Sequence, residues 1–283
     1  MVKNLKKIKA PIFFEGLHST SPLISQTFEN RKIIVRTHNI EHLFYAGQSK
    51  SEKRIDKKLF FRIEAKKLKN YESILHKVDK ILTISPFENN YFSTKFIDKA
   101  IYLPVFHQNT EVRELSNKGN FALYNGDLRL ADNVKSALFL IDIFRKIDYP
   151  LVLASSFKND SIFNRIMEYA NIEYVVIKDG NHITELLEKA QINVLPTFQK
   201  TGIKLKLINT LYNGRFCLVT NKMVEDTGLE GLCEIATTKE DFTKKINKLI
   251  NKDYTNEITQ QREKTLRPFK VEVNAQKIVK LLY

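Results

Sequence analysis

Three stretches of the chain concentrate side chains that can do chemistry. In "VRTHNIEH", residues 35–42, His38, Asn39, Glu41 and His42 follow directly on a β-branched run, which places two of the chain's six histidines four residues apart. Imidazoles at that spacing hold a metal only if they share a helical face and find a third ligand. A strand-to-loop setting works against a shared face, and a satisfied structural loop is the other reading of these residues alone. In "FQKTGIKLKLIN", 198–209, Gly202 opens a helix, with Thr201 before it and Lys204 and Lys206 just after. Glycine there lets backbone N–H groups approach an anion, and the helix dipole adds about half a positive charge. Lysines at that end oppose the dipole unless an anion sits between them. The pattern therefore reads as a phosphate site or as a solvent-facing amphipathic helix. Two further loops, "NGDLRLADN" (125–133) and "KDGNH" (178–182), carry Gly126, Asp127, Lys178 and Gly180.

The elements around these loops decide whether they can meet a ligand. From Asn120 onward, "FALYN", "LVLASSF", "EYVVIK", "INVLPTF" and "FCLVT" read as short apolar strands. Amphipathic helices alternate with them: "NVKSALFLIDIFRKI", with Asp132 or Asn133 as N-cap, then "SIFNRIMEYA", "HITELLEKA" and "GIKLKLINTLYN". That alternation is the pattern of a parallel, doubly wound α/β sheet, whose ligands bind outside the carboxyl ends of the strands. The loops at 125–133, 178–182 and 198–209 all fall there.

The first hundred residues form a smaller α/β unit, with strands at "PIFFEG", "KIIVRT", "KILTIS" and near Ile101. A long helix between the second and third strands carries Ile55, Leu59, Ile63, Leu68, Tyr71, Leu75 and Val78 at the spacing of one apolar face. The polar stretch 103–120 reads as a linker. The expected organisation is a domain over 1–108, a second over 109–260, and a tail over 261–283 whose final helix returns to the first.

Composition narrows the function classes. There is no run of apolar residues long enough to span a membrane, and the basic N-terminus is not patterned as a signal peptide. Cys217 and Cys233 lack metal-ligand spacing and are expected as reduced thiols of a cytoplasmic protein. A net charge of +14 favours anionic partners. The excess is concentrated: residues 50–80 carry eleven Lys/Arg against five Asp/Glu. No nucleic-acid motif accompanies it, so a solvated face tuned to the inner surface of a membrane is expected in preference to nucleic-acid binding.

"KTGIKLKLINTLYNGRFCLVT", followed by "GLEGLCEIA", resembles the donor-binding stretch of retaining, two-domain GT-B glycosyltransferases, in particular the family 4 branch with a Gly-x-Arg/Lys-Leu-Lys helix start. "LYNGDLRLADNVKSALFLI" resembles that family's first C-terminal-domain strand, loop and helix. "VRTHNIEH" and "VDKILTISPFENNYF" resemble elements of its N-terminal domain. The resemblance runs from about Pro11 to Asp241. It implies two Rossmann-like domains with a cleft between them, the N-terminal one reduced or completed by a partner chain.

The resemblance also implies roles. His38 would meet the transferred sugar, with Glu15, Asn39 and Glu41 lining the same cleft. The donor's diphosphate would sit at Gly202 with Thr201, Lys204 and Lys206, and Gly126 and Asp127 would form the opposing loop. Asn209 would meet the ribose, and Lys178 to Gly180 the base. Where family 4 commonly carries two glutamates eight positions apart, this chain has Thr201 and Asn209. The implied activity is metal-independent transfer of a sugar from a nucleotide-diphosphate donor, without a cofactor, to a glycan or glycolipid acceptor of surface polysaccharide synthesis. The alternative is a non-catalytic nucleotide-sugar-binding or scaffolding descendant.

Overall fold

The computed structural model describes residues 2–199 and 205–283. Thr201, Gly202 and Lys204 lie outside the described residues. The chain divides into two compact units: the described residues up to 106 with 268–283, and those from 107 to 267.

The first unit is built on four parallel strands in sequential order: β1 (Ile12–Glu15), β2 (Ile33–Arg36), β3 (Lys80–Thr83) and β4 (Ala100–Tyr102). Alternation along the strands creates two apolar faces. Phe14, Val35 and Ile81 join Leu75, Phe92 and Phe96 in the larger core. Ile34, Leu82 and Leu103 face the other way and are covered by Ile278, Leu281 and Leu282 of the C-terminal helix, Val271–Leu282. A short helix, Val2–Lys7, precedes the first strand; Leu5 packs on the larger core, and Arg31 donates to the Leu5 and Ala10 carbonyls at 2.6 and 2.7 Å.

The long helix runs from Ile55 to Tyr71 and then tightens into a 3-10 turn, Glu72–Lys77. Its apolar stripe is only partly buried. Leu68, Leu75 and Val78 enter the core, while Ile55, Leu59 and Ile63 stay exposed on a helix whose main packing partner is the preceding helix, Glu41–Ser51.

The second unit is a six-stranded parallel sheet in the order β10-β9-β8-β5-β6-β7. The strands are β5 (Ala122–Asn125), β6 (Leu151–Ser155), β7 (Ile172–Val176), β8 (Ile192–Leu195), β9 (Phe216–Val219) and β10 (Glu234–Ile235). β5, β6, β8 and β9 are buried along their whole length, as a sheet covered on both faces requires. From β5 the chain builds outward through β6 and β7, then returns to the other side of β5 to build β8, β9 and β10. The order therefore reverses between β5 and β8.

Two buried arginines hold this unit's periphery. Arg262 donates to the Leu211, Gly214 and Arg215 carbonyls, satisfying acceptors at the end of the Leu205–Asn213 helix. Arg215 donates to the Ser116 and Asn117 carbonyls at 2.8 and 2.9 Å. The segment that reads as a linker is thus pinned to the unit. Gly119 fits there because a Cβ would come within 2.2 Å of the Gln191 backbone nitrogen.

Candidate functional site

In the second unit the residues of interest collect at the reversal between β5 and β8, the place where a parallel sheet of this kind forms its crevice. Gly126 follows β5 directly, and a Cβ there would meet Tyr124 Oη at 3.0 Å and Asn133 Cγ at 3.2 Å. Its missing side chain is thus already used by the protein's own packing. Tyr124 Oη donates toward Asn133 at 3.2–3.3 Å, and Asn133 Nδ2 donates to the Asp127 carbonyl at 3.0 Å. Burial raises the Tyr124 hydroxyl far above its ordinary value, so it remains a neutral hydrogen-bonding group. Lys206, in the first turn of the Leu205–Asn213 helix, reaches back across the crevice: its Nζ lies 3.4 Å from Asn133 Oδ1 and 5.2 Å from the Tyr124 ring centre.

Asp127 points to the rim. It pairs with Arg129 at 2.7 Å, and hydrogen bonds from Arg129 hold its carboxyl below the ordinary range. Arg129 in turn lies over the Phe157 ring at 3.6 Å. Asp132 lies deeper. Thr197 Oγ1 donates to its Oδ2 at 3.1 Å, while its Oδ1 is buried with no hydrogen-bond partner among the described residues. Neither Asp132 nor Asn133 caps the helix they open: it runs from Ala131 to Phe144 after Leu130, and both side chains turn into the crevice instead.

The other expected donor residues are spread more widely. Lys178 and Gly180 follow edge strand β7, two strands from β5. The Asp179 carboxylate caps the Gly180–Lys189 helix by accepting from the His182 nitrogen at 2.9 Å, and a methyl group at Gly180 would meet nothing within 4 Å. Asn209 is engaged within the protein: its Oδ1 accepts from Asn109 Nδ2 at 2.9 Å, in a network that includes Asn213.

In the first unit, β1 and β2 pair with Glu15 opposite Arg36, which brings Glu15 beside the loop after β2. His38 Nε2 and Glu15 Oε1 are 2.5 Å apart, and Arg36 Nη1 lies 3.7 Å from the same oxygen. A carboxylate can only accept, so Nε2 is the donor of this pair and the pair leaves Nδ1 unused. Arg36 stacks on Phe106 at 4.7 Å, and burial lowers its guanidinium below the ordinary value against the pull of Glu15. Glu41 opens the next helix and faces His18 at 3.6 Å. Burial raises the Glu41 carboxyl above the ordinary range, against the opposing pull of His18 and a hydrogen bond from Asn39.

His42 points elsewhere. Its Nδ1 lies 3.3 Å from Glu72 Oε2, close but off hydrogen-bond alignment, in a buried cluster completed by Tyr91 and Lys95. The two histidines therefore serve different carboxylates. Among the described residues no group of three His, Cys, Asp or Glu could hold a metal ion.

Several members of these clusters are not singled out by sequence: Tyr124, Thr197, Arg36 and His18. Chain-distant pairing reveals Tyr124, Thr197 and His18. A weak signal exists for Arg36, a charged residue at the end of an otherwise apolar strand.

No protein-family profile matches the chain. A Klebsiella pneumoniae protein described as an uncharacterized 44.6 kDa protein in cps region is 26% identical over 239 residues. The match covers 77% of this chain and 58% of that relative, so the chain spans little more than half the relative's length. Among solved structures, sucrose-phosphate synthase from Thermosynechococcus elongatus is similar over 99% of this chain and 76% of its own, at 15% identity and a TM-score of 0.70. TarM is similar over 99% and 57%, at 12% identity and a TM-score of 0.73. The Staphylococcus aureus form of TarM has been solved with UDP. Trehalose 6-phosphate synthase from Burkholderia multivorans is similar over 99% and 72%, at 10% identity and a TM-score of 0.64. These are GT-B glycosyltransferases, and the fold of this chain is the GT-B fold. At such identities the likeness is one of architecture, and the chemistry must be argued from the side chains.

Proposed function

We propose that the protein transfers a sugar from a nucleoside-diphosphate donor to a glycan or glycolipid acceptor, with retention at the anomeric carbon. The observation that carries this reading is the crevice between β5 and β8, where Lys206, Asn133, Tyr124 and Thr197 converge at the order reversal of a parallel sheet. A cation aimed over neutral hydrogen-bonding groups suits a diphosphate, whose negative charge grows as the sugar leaves. Neutralisation by Lys206 and a helix start requires no metal, and on this reading the reaction is metal-independent. His38, held by Glu15 and with one ring nitrogen to spare, serves turnover and not nucleotide holding. We carry over from the resemblance a hexose donor, a setting in surface polysaccharide synthesis, and the base near Lys178 to Gly180.

Thermal unfolding of the full chain with a panel of nucleoside diphosphates and nucleotide sugars tests the reading. A donor in hundredfold excess over its Kd adds about 2.7 kcal/mol of stability, a shift of a few degrees. A panel in which no nucleotide raises the midpoint overturns the reading. A nucleotide that binds while no donor gives transfer to any glycan replaces it with the non-catalytic alternative.

A further inference from the structure

The most unusual surface of the first unit lies away from its strand ends. On the Ile55–Tyr71 helix, Ile55 is 84% exposed, Leu59 57%, Phe60 54% and Ile63 46%. At about 100° per residue these four fall within about 140° of arc, on one side of the helix. Scattered exposed apolar residues are ordinary, but a contiguous stripe of large ones marks an interaction surface. The stripe continues into a groove of about 550 Å³ against the Glu41–Ser51 helix, where Ala46 and Ser49 face Ile55 and Leu59.

Basic residues surround the stripe. Arg54 is matched by Asp56 at 2.7 Å and Lys67 by Glu64 at 2.8 Å. Lys53, Lys57, Lys58, Arg62 and Lys66 form no ion pair among the described residues. The occupant must therefore accept bulky apolar side chains and supply negative charge at the same depth. A nucleic-acid backbone supplies the charge but has no use for four aliphatic and aromatic side chains. A second copy of this chain would bring more positive charge, since the net charge is +14. An anionic bilayer supplies both, with headgroup phosphates at the level of the lysines and acyl chains just beneath.

We propose that the helical hairpin Glu41–Ser51/Ile55–Tyr71 docks on an anionic lipid surface, with Leu59 and Phe60 entering the headgroup boundary and Lys57, Lys58 and Arg62 contacting phosphates. No helix of the described residues is long and apolar enough to cross a membrane, so this is binding in the plane of the interface. The proposal is independent of the transfer chemistry.

Co-sedimentation of the full chain with phosphatidylcholine vesicles containing about one-third phosphatidylglycerol tests it. Binding is expected at low salt, and it should weaken as salt rises or when phosphatidylglycerol is omitted. The triple variant Lys57→Gln/Lys58→Gln/Arg62→Gln should bind on the order of a hundredfold more weakly, about fivefold per charge. The double variant Leu59→Ser/Phe60→Ser should lose at least about tenfold while keeping the same net charge. All five side chains are exposed, so unfolding midpoints should match the wild type, which separates lost docking from lost folding. Any of these results overturns the proposal: no vesicle binding, binding unchanged in the Leu59/Phe60 variant, or a wild-type dimer in sedimentation that the Leu59/Phe60 variant dissociates. Equal competition by RNA against vesicles would mean that charge alone is being read, and overturns it too.

Discussion

The same βα scaffold carries opposite chemistries at its strand ends in the two units. In the first, the loops after β1 and β2 crowd ionisable groups together: Glu15 with His38 and Arg36, and Glu41 with His18. In the second, the loops after β5 and β8 present mostly neutral hydrogen-bonding groups, Tyr124, Asn133 and Thr197, around Lys206 and a deep Asp132. A surface of paired acids and imidazoles can exchange protons and orient hydroxyls. A surface of fixed dipoles around a cation can hold a diphosphate without changing its own protonation. On the proposed function, turnover falls to the first unit and nucleotide affinity to the second, and substitutions can separate the two.

The largest separation is expected at His38. His38→Ala should lower turnover by roughly ten- to a thousandfold, while affinity for the free nucleoside diphosphate stays unchanged. Glu15→Gln should reproduce part of the turnover loss, since it weakens the charge-assisted contact that orients the ring. A parallel fall in nucleotide affinity, read by titration calorimetry, would break the division of labour.

A stability difference follows next, because Glu72 is a fully buried charge partner in the first unit. Burial pushes its carboxyl upward, but the contacts from His42, Lys95 and Tyr91 outweigh that and leave it below the ordinary value. The unfolded chain then binds the proton more readily than the folded one. Its contribution is complete above the ordinary carboxylate range of about 4.3 and is lost as pH falls through the lower folded value. Glu72→Gln should cost about 2–3 kcal/mol near neutrality, somewhat less than a fully enclosed pair because Lys95 reaches solvent. It should also flatten the acid limb of the unfolding curve. An unchanged acid limb would place the titrating group elsewhere.

The expectations from sequence succeed and fail along the same line. Apolar strands and amphipathic helices are periodic, so the strands from β1 to β9 and the loops that follow them were legible. The short edge strand β10 and the Val2–Lys7 helix carry too little pattern to read. The stripe Ile55–Leu59–Ile63 has the period of a buried face and is exposed, because periodicity reports a shared side and not what covers it. Asp132 and Asn133 looked like caps by position, whereas Thr197 and Tyr124, from other elements, draw them into the crevice. The 103–120 stretch is polar and aperiodic, yet at Ser116 and Asn117 it is fixed by an arginine about a hundred residues later.

A smaller effect is expected at Lys206. Lys206→Ala should weaken nucleoside-diphosphate binding by about 1–3 kcal/mol, the usual loss for a charge-assisted contact, and leave the first unit's acid limb untouched. Lys206→Arg should recover less than full affinity, since a planar fork does not replace a point charge aimed past Asn133. Wild-type affinity in Lys206→Ala would remove the cation from the donor site.

The smallest effect asks whether the loop after β5 is held for binding or only for packing. Asn159 does two things: its Oδ1 accepts from the Ile162 nitrogen at 3.1 Å, capping the Asp160–Ile166 helix, and its Nδ2 donates to the Leu128 carbonyl at 2.7 Å. Leu128 lies in the loop that starts at Gly126, so the cap and the crevice are joined through one side chain. Asn159→Ala should cost about 1 kcal/mol for the cap, with a further part for the stranded carbonyl. Asn159→Ser restores a capping oxygen but is too short to reach Leu128, so it should recover the cap's share of stability alone. If the loop's position matters to the ligand, both variants should lose a similar few-fold in nucleotide affinity even though only one loses the cap. Affinity that follows stability, falling in Asn159→Ala and recovering in Asn159→Ser, would show that the bond to Leu128 does not set the crevice.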